Sequence, residues 1–519
     1  MPTLDRRLSG LLLHPTSLPG PHGSGDFGPA AYHFVDWLLA AGQSVWQVLP
    51  LTPVGYGDSP YAGVSAFAGS PQLVALEPLI ERGWLAPVPA AELHGFDPLR
   101  VDFARVAPWR LARLREAAAG FAARAAPGER AGFEAFRAEQ AAWLEDYALF
   151  MALDAHHAAR RVWNWTGWDA ALARRELPAL AAARAEHAGE IFFWEFVQWC
   201  FATQWHALKA YANQRGVRIV GDLPIFVAHH SADCWSHPRL FQLDERFEPT
   251  VVAGVPPDFF SATGQRWGNP LYDWEAMQRE GFGWWIARLR QELAKSDLVR
   301  IDHFRGFAGY WEIPAGCPTA IDGHWVPAPG EALFRALRAA LGENLPVIAE
   351  DLGVITPDVV ALRDGFGLPG MKILQFGFTG DATHAFLPHN CVPNCCIYTG
   401  THDNDTVVGW WRHGATDRER AYASAYLQCG AHDVHRQMIR AAWLSVARLA
   451  VCPLQDLLGL GTEHRMNTPG LLDCWTWRFA WSQIGPEPAE WLARLSAAAG
   501  RAPIERLHLP LYPADRPMP

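Results

Sequence analysis

Eight short apolar runs recur along this chain, at 10–14, 44–51, 217–226, 298–304, 346–350, 371–378, 396–401 and 451–458. Helical patterns fill several of the gaps between them. Phe34, Trp37, Leu38 and Ala41 share one helical face closed by Gly42, Ile286, Leu289 and Leu293 share a second, and Leu333, Leu337 and Leu341 a third. Thr356-Pro357 reads as an N-cap followed by proline at the first helical position. Strands that alternate with helices pair in parallel through crossovers, and eight of them close into a (β/α)8 barrel of the TIM type. We therefore expect one barrel domain over 1–519.

The barrel is interrupted. The second and third runs are separated by a stretch far longer than a βα connection. It is rich in Ala, Arg and Glu and carries apolar anchors at Trp143, Tyr147, Phe150 and Trp163, so it predicts a mainly helical subdomain over 75–215. A second excursion, 228–272, is rich in Gly, Pro and aromatic residues and predicts a long loop region over the active site.

Composition narrows the function class. The net charge is −10, from 54 acidic and 44 basic residues, with no basic run. That argues against nucleic acid or an anionic membrane as the main partner and leaves a neutral substrate open. No run approaches the roughly 20 apolar residues of a membrane span. Nine cysteines, an odd number in a long chain, do not form a disulfide framework, and the amino terminus lacks a signal h-region. A reducing compartment, the cytoplasm, is the expected location.

Three of the apolar runs end on, or just before, acids. They read Arg300-Ile301-Asp302-His303-Phe304, Ala349-Glu350-Asp351-Leu352-Gly353 and Gly400-Thr401-His402-Asp403-Asn404-Asp405. Acids at buried strand ends are costly without a task, and catalytic groups of a parallel barrel converge at those ends. Cleaving a glycosidic bond needs two carboxylates; a separation of about 5–5.5 Å implies a covalent glycosyl-enzyme and retention. Asp302 is the expected nucleophile, because Arg300 lies two residues earlier on the same strand face and favours a charged carboxylate. Glu350 is the expected acid/base, its proton retained by neighbouring anions. Asp403, helped by His402, is expected to stabilise charge and bind sugar hydroxyls. Asp351 and Asp405 are adjacent acids that composition alone does not separate from the functional ones. Taken singly, each acid reads better as a helix cap or ion-pair partner; the three together, with Arg300 and the histidines beside two of them, point to catalysis.

Acids and histidines also suit hard cations, but these segments lack a ligand loop such as D-x-D-x-D-G. His229, His230, Asp233, Cys234 and His237 match no closed four-ligand zinc spacing, so packing histidines are the simpler reading. The Gly55–Tyr61 stretch lacks a P-loop lysine; its Tyr61, just past a strand end, can stack on a sugar face. Trp267 is one of a few loop tryptophans placed to line a sugar cleft.

Further motifs run almost end to end: His14-Pro15-Thr16-Ser17-Leu18-Pro19-Gly20, Trp46-Gln47-Val48-Leu49-Pro50-Leu51, Gly57-Asp58-Ser59-Pro60-Tyr61 and Gly221-Asp222-Leu223-Pro224-Ile225-Phe226. Gly254-Val255-Pro256-Pro257-Asp258, Trp267-Gly268-Asn269-Pro270 and Arg465-Met466-Asn467-Thr468-Pro469-Gly470 follow. With the three acid motifs, they closely resemble the 4-α-glucanotransferases called amylomaltases or disproportionating enzymes, glycoside hydrolase family 77. The resemblance implies a barrel of the α-amylase clan without a C-terminal β-domain. It also implies transfer of α-1,4-glucan segments between maltodextrins, or to glucose, with no metal and no other cofactor. It assigns Asp302, Glu350 and Asp403 as nucleophile, acid/base and transition-state stabiliser. It places Tyr61, Asp222, Arg300, His303, His402 and Asn467 at the donor subsite, Gln265 and Trp267 on a mobile acceptor-side loop, and Tyr56 in a second glucan groove. The chain departs from the family pattern at Ala62-Gly63-Val64, Ser70 and His384, which bears on acceptor preference rather than reaction class.

Overall fold

The computed structural model describes residues 4, 6–257 and 261–502; Asp258 of the fifth motif above lies outside them. Twelve strands are present among these residues: β1 (Leu8–Leu12), β2 (Val45–Gln47), β3 (Arg218–Leu223), β4 (Val251–Val255), β5 (Gln265–Pro270) and β6 (Leu298–Ile301), followed by β7 (Gly309–Pro314), β8 (His324–Pro327), β9 (Val347–Ala349), β10 (Gly370–Ile373), β11 (Cys395–Tyr398) and β12 (Leu449–Pro453). Eight of them, in the order β1-β12-β11-β10-β9-β6-β3-β2, form a closed barrel. All its pairings are parallel. Each barrel strand overlaps one of the eight apolar runs. Strands enclosed by helices on one side and packed on each other inside bury nearly every residue, hence the continuous apolar runs.

Closure needs close backbone approach at one point. A Cβ at Gly10 would stand 2.1 Å from the Val45 carbonyl oxygen, so only glycine allows β1 to lie in register with β2.

Between β2 and β3 the chain is mainly helical, with Phe103–Arg124, Pro127–Ala158 and Ala188–Gln214 as the long helices. Phe121, Phe133, Phe196 and Trp199 pack their rings together where these helices meet. The third helix also anchors the loop that follows β2. Gln198 accepts from Gly69 N at 2.7 Å and donates to Gly69 O at 2.9 Å, and Gln204 does the same to Ala75 at 2.7 and 3.0 Å. Two buried amides thus hold the loop that carries Tyr61.

The stretch 228–272, expected as one long loop, contains β4 and β5. These join β7 and β8 in an antiparallel sheet of order β5-β4-β7-β8. Gly and Pro were the loop signals there, but Gly254 lies inside a strand. A Cβ on it would meet the Gln265 carbonyl oxygen at 2.2 Å, so the glycine serves close crossing rather than a turn. After β12 the described chain continues only as helices, the longest being Pro486–Ala498, and connecting segments, with no separate β-domain among the described residues. No described helix is long and apolar enough to cross a membrane.

Candidate active site

Register brings the acids together. Ile301 of β6 lies opposite Ala349 of β9, so Asp302 and Glu350 follow side by side at the C-terminal ends of neighbouring strands. On the other flank, Asp222 of β3 lies opposite Arg300. Arg300 donates from one nitrogen to both carboxylate oxygens of Asp222 at 2.8 Å, and from another to Asp302 Oδ1 at 2.8 Å. Burial works against this guanidinium's charge, but Asp222 and Asp302 outweigh it and push the pKa of Arg300 further up. The Asp222 side chain is fully enclosed, whereas that of Asp302 keeps 30 % of its surface open.

The turn after Asp302 is specialised. His303 has φ +50°, a left-handed conformation that non-glycine residues enter at a cost. In that turn the His303 N–H donates to Glu350 Oε2 at 2.7 Å, and Leu352 N–H donates to Oε1 at 2.8 Å. Glu350 is buried, and burial dominates its titration. Arg300 and the two N–H donors pull downward and Asp302 pushes upward, leaving its pKa at about 7. Burial also lowers His303 to about 4, so this imidazole is neutral at physiological pH.

Asp403 lies five residues past the end of β11, in a turn fixed by Asn404, whose Oδ1 accepts from the N–H and the hydroxyl of Thr401 at 2.8 and 2.9 Å. Asn467 donates to Asp403 Oδ1 at 2.6 Å, and His402 Nε2 lies 3.2 Å from Oδ2. Its recessed position disfavours charge, but His402 and Asn467 outweigh that and hold the acid well below the ordinary carboxylate range. Tyr61 links the two halves of the site. Its hydroxyl donates to Asp222 Oδ2 at 2.9 Å, and its ring stacks on His402 at 5.1 Å. Trp267, on β5, meets the His303 ring edge-on at 4.8 Å and donates to Gln265 Oε1 at 3.1 Å. The structure therefore connects Tyr61, Asp222, Gln265, Trp267, Arg300, Asp302, His303, Glu350, His402, Asp403 and Asn467. Tyr56 stands apart, 81 % exposed, on the same loop as Tyr61.

The neighbouring acids separate cleanly. Asp351 accepts from Met371 N at 2.7 Å and pairs with Arg363; Asp405 accepts from the Thr462 hydroxyl at 2.9 Å and from Thr406 N at 2.8 Å. Both fasten barrel loops. His229 and His230 are likewise engaged, at 2.8 Å from the Phe247 carbonyl and 2.9 Å from Asp154. Among the described residues, the groups able to share a metal are His156–Glu186–His187 and His22–Asp26–Glu77, neither of which contains a residue of this cluster.

Two neighbours were not singled out from sequence. Arg465 donates to the Asp403 carbonyl and, at 2.6 Å, to the Asn467 carbonyl; its place two residues before Asn467 was the available signal. Trp475 packs on Tyr61 at 5.7 Å and on His402 at 5.8 Å, and nothing in the sequence marks it among 25 tryptophans.

A parallel barrel that gathers two side-by-side carboxylates, a buried guanidinium and stacked rings at its strand ends has the build of a glycoside-processing enzyme. The chain belongs to the 4-alpha-glucanotransferase family, glycoside hydrolase family 77, whose model matches residues 13–483. It is 52 % identical over 504 residues to a 4-alpha-glucanotransferase of Thermus thermophilus, covering 95 % of this chain and 99 % of that one. Identity to the Synechocystis 4-alpha-glucanotransferase is 48 % over 495 residues, covering 94 % and 96 %. The structure of an amylomaltase from Streptococcus agalactiae in complex with acarbose superposes with a TM-score of 0.90 at 38 % identity, covering 96 % of this chain and all of that one.

Proposed function

We propose that the protein is a retaining 4-α-glucanotransferase that moves α-1,4-glucan segments between maltodextrin donors and acceptors, including glucose. The reading rests on one observation: Asp302 and Glu350 end adjacent strands in register, one bonded to a guanidinium and the other titrating at about 7.

The Asp302 carboxylate attacks the anomeric carbon while Glu350 gives its proton to the departing 4-oxygen. A β-linked glycosyl-enzyme forms and the reducing-side fragment leaves. The 4-hydroxyl of a second glucan then attacks, Glu350 takes its proton, and Asp302 is released as a carboxylate. Asp403 stabilises the positive charge that develops at the sugar ring, in a position held by Asn467 and His402. Tyr61, His303, His402, Arg300 and Asn467 frame the donor sugar. Asp222, fully enclosed, contributes by holding Arg300 and Tyr61. Gln265 and Trp267 cover the acceptor side, and exposed Tyr56 offers a ring to a longer glucan. The helical region 75–215 and the region 228–272 are the two excursions that shape the cleft. Nine free cysteines accord with a cytoplasmic, reducing location.

Incubation with maltotriose alone tests the activity. Transfer yields a ladder of longer maltodextrins plus glucose; maltose and glucose without longer chains mark a hydrolase instead. Transfer prevails over hydrolysis where the acceptor is held in attack geometry and water is excluded. Trp267→Ala therefore raises the hydrolysis-to-transfer ratio severalfold on reducing-end assays, and an unchanged ratio removes Trp267 from that role.

The pH profile follows from Glu350. Its protonated form is the acid, so Glu350 sets the alkaline limb: kcat/KM declines above its pKa of about 7, approaching tenfold per pH unit. A profile flat to pH 9 contradicts the assignment.

A further inference from the structure

Both oxygens of Glu350 are held by backbone N–H groups, and each is tied to the same antiparallel sheet, one through the His303 ring and the other through Arg305. His303, donor to Oε2, meets Trp267 of β5 at 4.8 Å. Leu352, donor to Oε1, begins the turn Leu352-Gly353-Val354-Ile355, where Gly353 has φ +84° with open space around it. Leu352 and Ile355 pack on the core at the two ends of the turn, whereas Val354 between them is 60 % exposed. What secures that outer edge is Arg305. The guanidinium donates to the Val354 carbonyl and, at 3.4 Å, to the Thr356 hydroxyl. Its central carbon lies over the Trp325 ring of β8, 3.6 Å from the ring centre, and that indole is braced edge-on by Trp311 of β7 at 5.2 Å.

Resting on the reading of Glu350 as acid/base, we infer that Arg305 is a positioning residue for it. Sandwiched between Trp325 and the Val354 carbonyl, it holds the turn whose Leu352 N–H orients the Glu350 carboxyl. A planar guanidinium suits this place, because it stacks on an indole while donating in its own plane. A lysine has no plane to stack. The charged groups that face Glu350 are Arg300 of β6 and Asp302 just past its end, and His303 beside them is neutral. Arg305 directs its donors at Val354 and Thr356, so its removal reaches Glu350 through the turn.

The consequence has a sign. An N–H that donates to a carboxylate favours the charged form, so loosening Leu352 raises the pKa of Glu350 and moves the alkaline limb to higher pH. The carboxyl also loses orientation, which lowers kcat while the donor-binding residues stay in place.

The experiment compares maltotriose pH profiles of the full-length enzyme with Arg305→Met, Trp325→Ala, Trp325→Phe and the double variant Arg305→Met/Trp325→Ala. Trp325 is at the surface, so its variants fold even where Arg305→Met does not. Both single variants are expected to lower kcat about tenfold with KM within twofold, and to move the alkaline limb upward by about half a pH unit or more. Trp325→Phe restores both properties, and the double variant is no worse than Arg305→Met, since the two residues act as a unit. A limb unmoved in Arg305→Met and Trp325→Ala, or additive losses in the double variant, overturns the inference. Residual activity of Glu350→Gln separates the two readings. A limb that persists in Glu350→Gln defeats the acid/base assignment itself, whereas a limb lost there but unmoved by Arg305 and Trp325 defeats only the positioning role.

Discussion

Asp302→Asn lowers maltotriose turnover by on the order of 10⁴-fold or more, and an activated donor such as α-maltosyl fluoride does not restore it. The amide keeps the shape of the carboxylate but cannot form the ester to the anomeric carbon on which both half-reactions depend. The Asn amide oxygen still accepts from Arg300, which also keeps its two bonds to Asp222, so the variant folds and its thermal unfolding stays near that of the wild type. Normal folding is what makes the activity loss interpretable. A loss below tenfold in a folded Asp302→Asn would show that the carboxylate is not the nucleophile.

Glu350→Gln gives the complementary result. Maltotriose turnover falls by about 10²–10⁴-fold, the range expected for loss of a positioned proton donor. With α-maltosyl fluoride the first half-reaction recovers to near the wild-type rate, because fluoride departs without a proton. Turnover then stalls at the second half-reaction, where the acceptor hydroxyl has lost its base. The signature is a burst of one fluoride per enzyme followed by a slow phase. An equal loss on both donors would place Glu350 outside the proton transfer.

Much of this was legible in the sequence for identifiable reasons. A barrel strand is buried on both faces, so all eight appear as apolar runs, and the site acids stand out because they interrupt apolar surroundings. Boundaries were less legible. The run 371–378 is strand only as far as Ile373 and then becomes a helical turn, Leu374–Gly377; the run 451–458 likewise divides at Pro453, with Leu454–Leu457 helical. An apolar run does not say whether a buried segment is extended or helical. The sheet of β5, β4, β7 and β8 was missed for a related reason, since Gly254 and the prolines near it signal turns wherever they occur.

Within the site, adjacency hid the distinction between Glu350 and Asp351. Composition gives both the same neighbours, and only the fold shows one facing Arg300 and Asp302 while the other bonds Met371 and Arg363. Trp475 was not legible at all. Its value comes from rings at Tyr61 and His402, which reach it from distant loops. Asp222 was readable as a site acid but not as an enclosed one; its bonds to Arg300 and Tyr61 become visible only when β3 and β6 are set in register.

The central claim is a covalent sugar on Asp302, and Glu350→Gln supplies the means to observe it. Mixed with α-maltosyl fluoride and quenched in acid during the burst, this variant should gain the mass of one maltosyl group. After proteolysis, that mass should lie on the peptide containing Asp302. A maltosyl group on the peptide of Asp222 or Asp403, or a full fluoride burst with no mass gain on the protein, would contradict the account.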